Sequence, residues 1–171
     1  MSHCKARGNE SGFTLAELVL VIVGGSILIT MAVPVLGTMV DSYRVVLAGQ
    51  EIAIQMHYAR MKAVSSNEEF HVNFPNGMNY YQVESDSGSV IAGPFYLPPG
   101  VNWNNGCGGT DVSFGGKFVD FLPAGNIPLS GQGSAGRVRI VNAAGSKIDV
   151  VVSSGGIIRQ TRAYTGCTAP F

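Results

Sequence analysis

The chain has 171 residues, of which 13% are charged, and its 11 basic and 11 acidic side chains leave a formal net charge of zero. This length accommodates one hydrophobic core and is too short for two full domains. The charge balance excludes a generally basic nucleic-acid binder and an acidic solvating tail, so any electrostatic function must come from local clustering of charge.

The first predicted element is an apolar helix. No charged residue occurs between Leu18 and Val40, and this stretch is long enough to cross a hydrocarbon core of about 30 Å. Lys5 and Arg7 precede it with only Glu10 opposing them, which favours a cytoplasmic N-terminus and an exported remainder. The sequence therefore predicts a single-pass membrane protein whose globular part lies in the periplasm.

Three other interpretations compete for this segment. A cleavable secretory signal ends in small residues, and Thr30-Met31-Ala32 imitates such a site, but the apolar run continues past it. A buried helix of a soluble protein rarely stays uncharged for so long. An ordinary membrane anchor explains the length but not Glu17, because an unpaired carboxylate in an apolar span costs on the order of 2.5 kcal/mol or more. Glu17 therefore needs a partner.

The residues from Gly12 to Leu18, GFTLAEL, followed by the apolar run and Pro34, resemble the processing signature of type IV pilins and type II secretion pseudopilins. The resemblance implies that a prepilin peptidase cuts after Gly12 and that the new N-terminus, Phe13, is methylated on its amine. It also implies that Glu17 neutralises the terminal amine of a neighbouring subunit and that Pro34 kinks the helix. Such a pairing in a low-dielectric bundle relieves the desolvation of both charges and fixes the register of assembly.

Beyond this segment the helix is predicted to continue as an amphipathic element that ends near Ser65, Ser66 and Asn67. The charged side chains available to its wet side are Asp41, Arg44, Glu51, Arg60 and Lys62. Apolar residues recur on the other side at three- and four-residue steps, namely Val45, Ile52, Met56, Ala59 and Ala63. We expect this stripe to pack on the domain's own sheet, with no cofactor role.

The chain after residue 70 is predicted to form antiparallel β-structure. Phe70–Phe74 and Met78–Glu84 flank a Pro75-Asn76-Gly77 turn, which indicates a β-hairpin. Further strands are predicted at Val90–Leu97, Phe118–Leu122, Arg137–Val141, Lys147–Val152 and Ile157–Arg162. The predicted fold class is α+β, with a long N-terminal helix packed against a C-terminal antiparallel sheet or sandwich, as in pilins.

This organisation gives four expected segments. They are a leader peptide at 1–12, a membrane-spanning and filament-core helix at 13–40, its amphipathic continuation at 41–67, and a periplasmic β-rich domain at 68–171.

Cys107 and Cys167 follow the apolar segment and so would face an oxidising compartment, where a disulfide between them is expected. Closing this loop contributes about 4 kcal/mol in the chain-entropy model. A metal site is the alternative, but no further ligands stand nearby in the sequence.

No motif predicts catalysis. Residues 131–136, GQGSAG, match the letters of the dinucleotide-binding fingerprint, but a predicted strand follows them where the fingerprint requires a helix. His3, His57 and His71 have no serine or cysteine credibly placed beside them. We therefore expect no enzymatic activity, no cofactor and no metal.

The C-terminal half carries a second resemblance. The stretch Val119–Gly125, the run RVRIV that starts at Arg137, and the segment Gly155–Arg162 are similar to the C-terminal portion of GspH/FimT-type minor pseudopilins. Some FimT-type minor pilins bind DNA through an arginine motif near the C-terminus. Here Ile157 and Ile158 separate the glycine from the arginine, unlike the usual motif. The resemblance implies candidate DNA contacts at Arg137, Arg139, Arg159 and Arg162; the alternative is a solvated strand edge that discourages aggregation or meets a neighbouring subunit.

Two classes of function follow. The preferred one is a minor pilin or pseudopilin that is held in the bacterial inner membrane, assembles with other pilin subunits through its helix and helps to initiate or cap a filament. The second is a binding module, a filament-borne receptor for DNA or for a secreted substrate. A pilus and a secretion system both remain open as the machine.

Overall fold

The computed structural model describes residues 12–103 and 111–167. One long helix precedes the strands in the chain. Within the described residues the elements are α1 (Leu15–Ser66), β1 (Phe70–Asn73), β2 (Tyr80–Ser85), β3 (Val90–Tyr96), β4 (Val101–Asn102), β5 (Phe118–Phe121), β6 (Gly136–Asn142), β7 (Lys147–Val152) and β8 (Ile158–Gln160). The chain divides into two compact units, residues 1–37 and 38–171, and α1 contributes to both.

In the first unit α1 begins with a side-chain cap. The Oγ1 atom of Thr14 accepts a hydrogen bond from the backbone N–H of Glu17 at 3.3 Å, which satisfies one of the free donors of the first helical turn. The apolar side chains that follow, Leu15 and Leu18 to Val23, are exposed to solvent. Among the described residues, no helix combines the length and the apolar character that a membrane span requires.

In the second unit one face of α1 is buried. Val45, Ile52, Met56, Ala59 and Ala63 have no exposed surface, which confirms the face that the three- and four-residue spacing predicted. The helix ends at Ser66, and Asn67 follows with a φ of 53°, a left-handed residue of the kind that terminates helices.

The strands form two four-stranded antiparallel sheets. Sheet A has the order β3-β2-β1-β5 and sheet B the order β4-β6-β7-β8. The predicted hairpin is present, with Val72 opposite Val83, and β1 also pairs with the distant β5, with Val72 opposite Val119. The largest buried side chains of the core include those of Tyr81, Phe121, Ile52 and Ile140, from both sheets and the helix.

The predicted α+β class is therefore confirmed. Each strand predicted from the sequence is present with ends shifted by up to a few residues. The two-residue β4, which pairs Val101 with Asn142, was not predicted.

Candidate functional site: the helix start and the basic outer face of sheet B

The predicted processing position lies in non-helical chain just before α1. Gly12, Phe13 and Thr14 precede the helix, and the side chain of Phe13 is 82% exposed. Around Gly12, the space that a Cβ atom would occupy is open. The Gly12–Phe13 bond is thus exposed, and cleavage at this bond stays a prediction.

Glu17 occupies the third position of α1, three residues after its cap. Thr14 and Glu17 have the T-x-x-E spacing of a capping box, and the first turn of a helix attracts negative charge because of its unpaired N–H groups. The helix start therefore favours a carboxylate at this position. Helix α1 continues through Pro34 without interruption. The side chain of Pro34 lies outside the described residues.

Cys107 also lies outside the described residues, and Cys167 is exposed at the end of the described chain. Their pairing stays a prediction.

Three of the predicted arginines, Arg137, Arg139 and Arg159, lie on the outer face of sheet B, and Arg162 follows β8 in the chain. The strand register places Arg137 of β6 opposite Val151 of β7, which in turn stands opposite Arg159 of β8. These three side chains form one row on the face that points away from the core, since the alternate residues Val138 and Val150 are fully buried.

Arg139 also belongs to this face but is not available to a ligand. Its side chain is 3% exposed, and its Nε and Nη2 atoms donate to the two carboxylate oxygens of Asp149 at 2.6 and 2.8 Å. The hydroxyl of Tyr164 donates to the same carboxylate at 3.0 Å. The interpretation of Arg139 as a DNA contact is therefore corrected: its guanidinium is buried in a bidentate ion pair.

The pKa shifts in the buried cluster of Arg139, Asp149 and Tyr164 agree with its contacts. The hydrogen bond to Asp149 raises the pKa of Arg139, against the opposing effect of burial. Burial raises the pKa of Tyr164 to about 12, and Asp149 adds to the shift. Sequence reasoning did not identify Asp149 and Tyr164 as parts of the site. One signal was present, because Asp149 is the lone acidic residue among the basic residues of 137–162.

Three of the four predicted arginines remain accessible. Arg159 and Arg162 are exposed, and Arg137 is 41% exposed with its Nη1 3.6 Å from Asp149. A groove of 790 Å³ runs beside Arg159 and Arg162, and it is lined by Val151, Ser153, Ile157, Arg159, Gln160, Thr161 and Arg162. The outer face of sheet B thus combines guanidinium groups with apolar surface.

Strand β8 runs alongside α1 in the opposite direction. Just before the strand, the backbone of Gly156 lies against the carbonyl oxygen of Gly125, which accepts a 2.7 Å hydrogen bond from Nε of Arg60. At its end, Nε2 of Gln160 donates to the carbonyl oxygen of Val46 at 3.3 Å. The strand therefore starts beside the last turns of the helix and ends near residue 46.

The chain beyond β8 continues the same course. Ala163 lines a shallow depression together with Met39 and Tyr43. Extended chain from Gly156 to Ala163 covers about 23 Å, and the helix between Tyr43 and Arg60 rises about 26 Å. The two lengths are similar, and the contacts show that β8 runs in the direction opposite to α1.

The outer face of sheet A is acidic. His71 of β1 lies between Glu84 of β2 and Asp120 of β5, with Nε2 2.9 Å from Glu84 and Nδ1 3.7 Å from Asp120. Burial works to raise the pKa of Glu84, but hydrogen bonds from Gln82, His71 and Asn73 outweigh it and hold that pKa below its usual value. Burial raises the pKa of Asp120 to about 6 despite the nearby His71. Among the described side chains, no group of three is arranged to hold a metal ion.

The family follows from comparison with known proteins. The model of the family described as type II transport protein GspH matches residues 48–156. This range is more than half of the chain, and the chain belongs to the GspH family. The predicted membership among GspH/FimT-type minor pilins and pseudopilins is thereby confirmed. No curated protein matches the chain in sequence.

Two solved structures are similar to the chain. The type IV minor pilin FimU of Pseudomonas aeruginosa matches 76% of this chain and 99% of its own length, with 16% identity and a TM-score of 0.53. The minor pseudopilin EpsH from the type 2 secretion system of Vibrio cholerae matches over 68% of this chain and 95% of its own, with 11% identity and a TM-score of 0.48. The likeness to FimU shows a pilin fold.

Proposed function

We propose that the chain is a minor subunit of a type IV pilus or a type II secretion filament, which joins the filament through α1 and helps to initiate or cap it. The observation that carries this proposal is the first part of α1. Its apolar side chains lie exposed, Leu15 to 81% and Leu20 to 73%, and Glu17 is its sole charged residue before Asp41. Contiguous exposed apolar surface of this kind indicates a lipid or protein partner.

The chemistry of processing supports the pairing of subunits. A cut between Gly12 and Phe13 would create an ammonium group two residues before α1, where the unpaired N–H groups of the helix already carry positive charge and disfavour a further cation by about 0.3–1 kcal/mol. The carboxylate of Glu17 from a neighbouring subunit balances that charge. Thr14 remains on the mature side of the cut, so the capped helix start is retained.

A second apolar surface supports helix-to-helix contacts. On the side of α1 opposite the buried face, apolar residues recur at steps of three, four and seven and stay exposed. We call them the outer seam: Tyr43, Leu47, Ile54, Met61 and Val64. Steps of three, four and seven residues are typical of helices that pack lengthwise on another helix.

We also propose that residues 13–40 hold the subunit in the inner membrane before assembly, with the β-domain in the periplasm. The uncharged run from Leu18 to Val40 and the preceding Lys5 and Arg7 support this topology. A periplasmic location is also compatible with the proposed disulfide between Cys107 and Cys167.

The test is a set of tagged chains expressed in the bacterium that encodes the protein. We expect the parent chain to lose its leader, to be methylated on Phe13 by mass spectrometry, and to co-purify with sheared filaments. Glu17→Ala should still be processed but should enter filaments at least about ten-fold less, a loss of roughly 1.4 kcal/mol. Glu51→Ala, which removes an exposed carboxylate elsewhere on α1, is the control. Equal incorporation of Glu17→Ala and the parent contradicts the proposal, as does a chain that keeps residues 1–12.

The alternative, a filament-borne DNA receptor, is favoured by the exposure of Arg159 and Arg162 beside a groove. Phosphate contacts release counterions, so binding of a DNA duplex by the full chain in detergent should weaken steeply with salt. Replacing both arginines by glutamine should make the slope of log K against log salt shallower by about two. Arg44→Gln is the control, because Arg44 is paired with Asp41. Absence of binding at low salt removes this alternative.

A further inference from the structure

We propose that the end of the β-domain formed by Arg159, Arg162 and Tyr43 docks on the surface of an anionic phospholipid bilayer, and we call this end the basic edge. The inference rests on the proposed membrane anchorage and goes beyond it, because it assigns the domain itself a lipid contact and an orientation before assembly.

The course of β8 places these residues together. Because Gln160 bonds to the backbone at Val46 and Ala163 packs beside Met39 and Tyr43, the chain around Arg162 lies next to the first turns of the second unit. Val40, the last residue of the uncharged run, belongs to those same turns. Arg162 therefore lies at the end of the domain from which the proposed membrane segment leaves.

The charge at this end is unbalanced. Among the described residues, no carboxylate forms an ion pair with Arg159 or Arg162. Asp41 is the nearby acid on α1, and it already pairs with Arg44 at 3.2 Å. Asp149, the acid of sheet B, is buried with Arg139. Two guanidinium groups thus remain free to meet phosphate, which guanidinium binds through paired N–H donors.

The apolar composition of the basic edge also fits a bilayer. Tyr43 and Met39 are each 63% exposed. Tyrosine is enriched where lipid headgroups meet the hydrocarbon, because its ring is apolar and its hydroxyl is polar. Basic residues beside such a ring are attracted by the negative potential of anionic lipids. The acidic outer face of sheet A would be repelled from the same surface, so the contact is restricted to one end of the domain.

The experiment compares hydrogen exchange of the full chain in two kinds of nanodisc, one of phosphatidylcholine alone and one containing about a third phosphatidylglycerol. We expect slower exchange of residues 157–167 and 39–46 in the anionic discs, and we expect salt to reverse it. Each arginine should change the affinity of the basic edge for the anionic bilayer about five-fold. Arg159→Gln together with Arg162→Gln should therefore abolish the difference in exchange between the discs. Lys62→Gln, near the far end of α1, should leave it unchanged. Thermal unfolding of the double variant checks that the domain is intact.

Equal exchange in the two kinds of disc overturns the inference, as does a Lys62→Gln variant that behaves like the double variant. A DNA duplex that slows exchange of the same segments where phosphatidylglycerol does not would assign the basic edge to nucleic acid instead. A chain that fails to stay with either disc overturns the membrane anchorage itself, and this outcome is seen separately as elution without lipid.

Discussion

Asp149 neutralises the buried Arg139 and accepts a hydrogen bond from the Tyr164 hydroxyl, so these two side chains depend on one carboxylate. We expect Asp149→Ala to lower the free energy of unfolding by about 3–5 kcal/mol, because it leaves a guanidinium buried without a partner. Denaturant titration of the full chain in detergent measures this. Asp41→Ala breaks the exposed pair with Arg44 and should cost less than about 1 kcal/mol. Similar losses of unfolding free energy in the two variants would show that the buried ion pair stabilises the domain no more than the exposed pair does.

Asp120 gives the domain a pH dependence of its own. Its folded pKa of about 6 lies above the ordinary value of 3.8, so the native state binds the proton more tightly than the unfolded chain. Asp120 therefore adds to the stability of the folded state below about pH 4, and this stabilisation is lost as the pH rises to about 6. Glu84 has the opposite sign, because its lowered pKa makes its contribution fall as the pH drops through that folded value.

Asp120→Asn should remove the first of these effects. Between pH 4 and pH 6 the parent should lose about 2 kcal/mol of stability relative to this variant. The measurement is the midpoint of denaturation at a series of pH values. Ionisable groups that act on Asp120 are His71, Glu69 and Asp86, so the double variant with His71→Gln separates the carboxyl from its neighbour. Parallel curves for parent and Asp120→Asn would contradict the prediction.

At the scale of elements, the contact of β8 with α1 depends on a helical glycine. A Cβ atom on Gly49 would lie 2.8 Å from Nε2 of Gln160 and 2.9 Å from Cγ2 of Ile148. The amide can move, but the Ile148 methyl belongs to the buried core. We expect Gly49→Ala to cost about 1–3 kcal/mol through overpacking, although alanine favours helix.

The matched control is Gly25→Ala, because at this helical glycine no described atom other than the surrounding helix backbone lies within 4 Å of the Cβ position. It should leave the melting temperature of the β-domain unchanged. A melting temperature for Gly49→Ala that equals the parent's would mean that β8 does not pack on the helix as closely as described.

Some elements were predictable and others were not, for physical reasons. The buried face of α1 and strands such as β6 and β7 follow from periodicity, since one side of each must meet a core. The pairing of β1 with β5 was not predictable, because it joins segments separated by three further strands and their loops. The two-residue β4 is too short to carry any alternation.

The candidate site likewise contains features that the sequence predicts and features that it does not. Alternation places Arg137 and Arg139 on the same face of β6, and sequence reasoning treated them alike. The difference arises because the backbone of Tyr164 pairs with Lys147 at the neighbouring edge and its side chain reaches Asp149. The segment around Tyr164 covers Arg139 and leaves Arg137 accessible. No local sequence pattern encodes this difference.

At the scale of the whole molecule, the outer seam makes a prediction about assembly. Ile54 is 61% exposed in the single chain, and full burial of such a side chain is worth about 1.5–3 kcal/mol. Ile54→Gln should therefore reduce incorporation into filaments by roughly ten-fold or more, with the stability of the monomer unchanged. Quantitative immunoblotting of sheared filaments measures this.

Lys62→Gln is the control for that variant, since Lys62 lies on the same helix but at none of the three-, four- and seven-residue steps of the seam. Incorporation of Ile54→Gln at the parent's level would mean that this side of α1 faces solvent in the filament, and the helix would then join its neighbours through its first part alone.

The antiparallel course of β8 and α1 has a mechanical consequence. Tension carried along the part of α1 that packs beside β8 has a component along β8, and so also along β7, to which β8 is bonded. Hydrogen bonds such as Thr161 N to Asp149 O and Ser153 N to Ile157 O are then loaded in shear, all at once, whereas a pull across the strands would open them one at a time. In the proposed filament, a pull along this part of α1 would therefore meet the combined resistance of these hydrogen bonds.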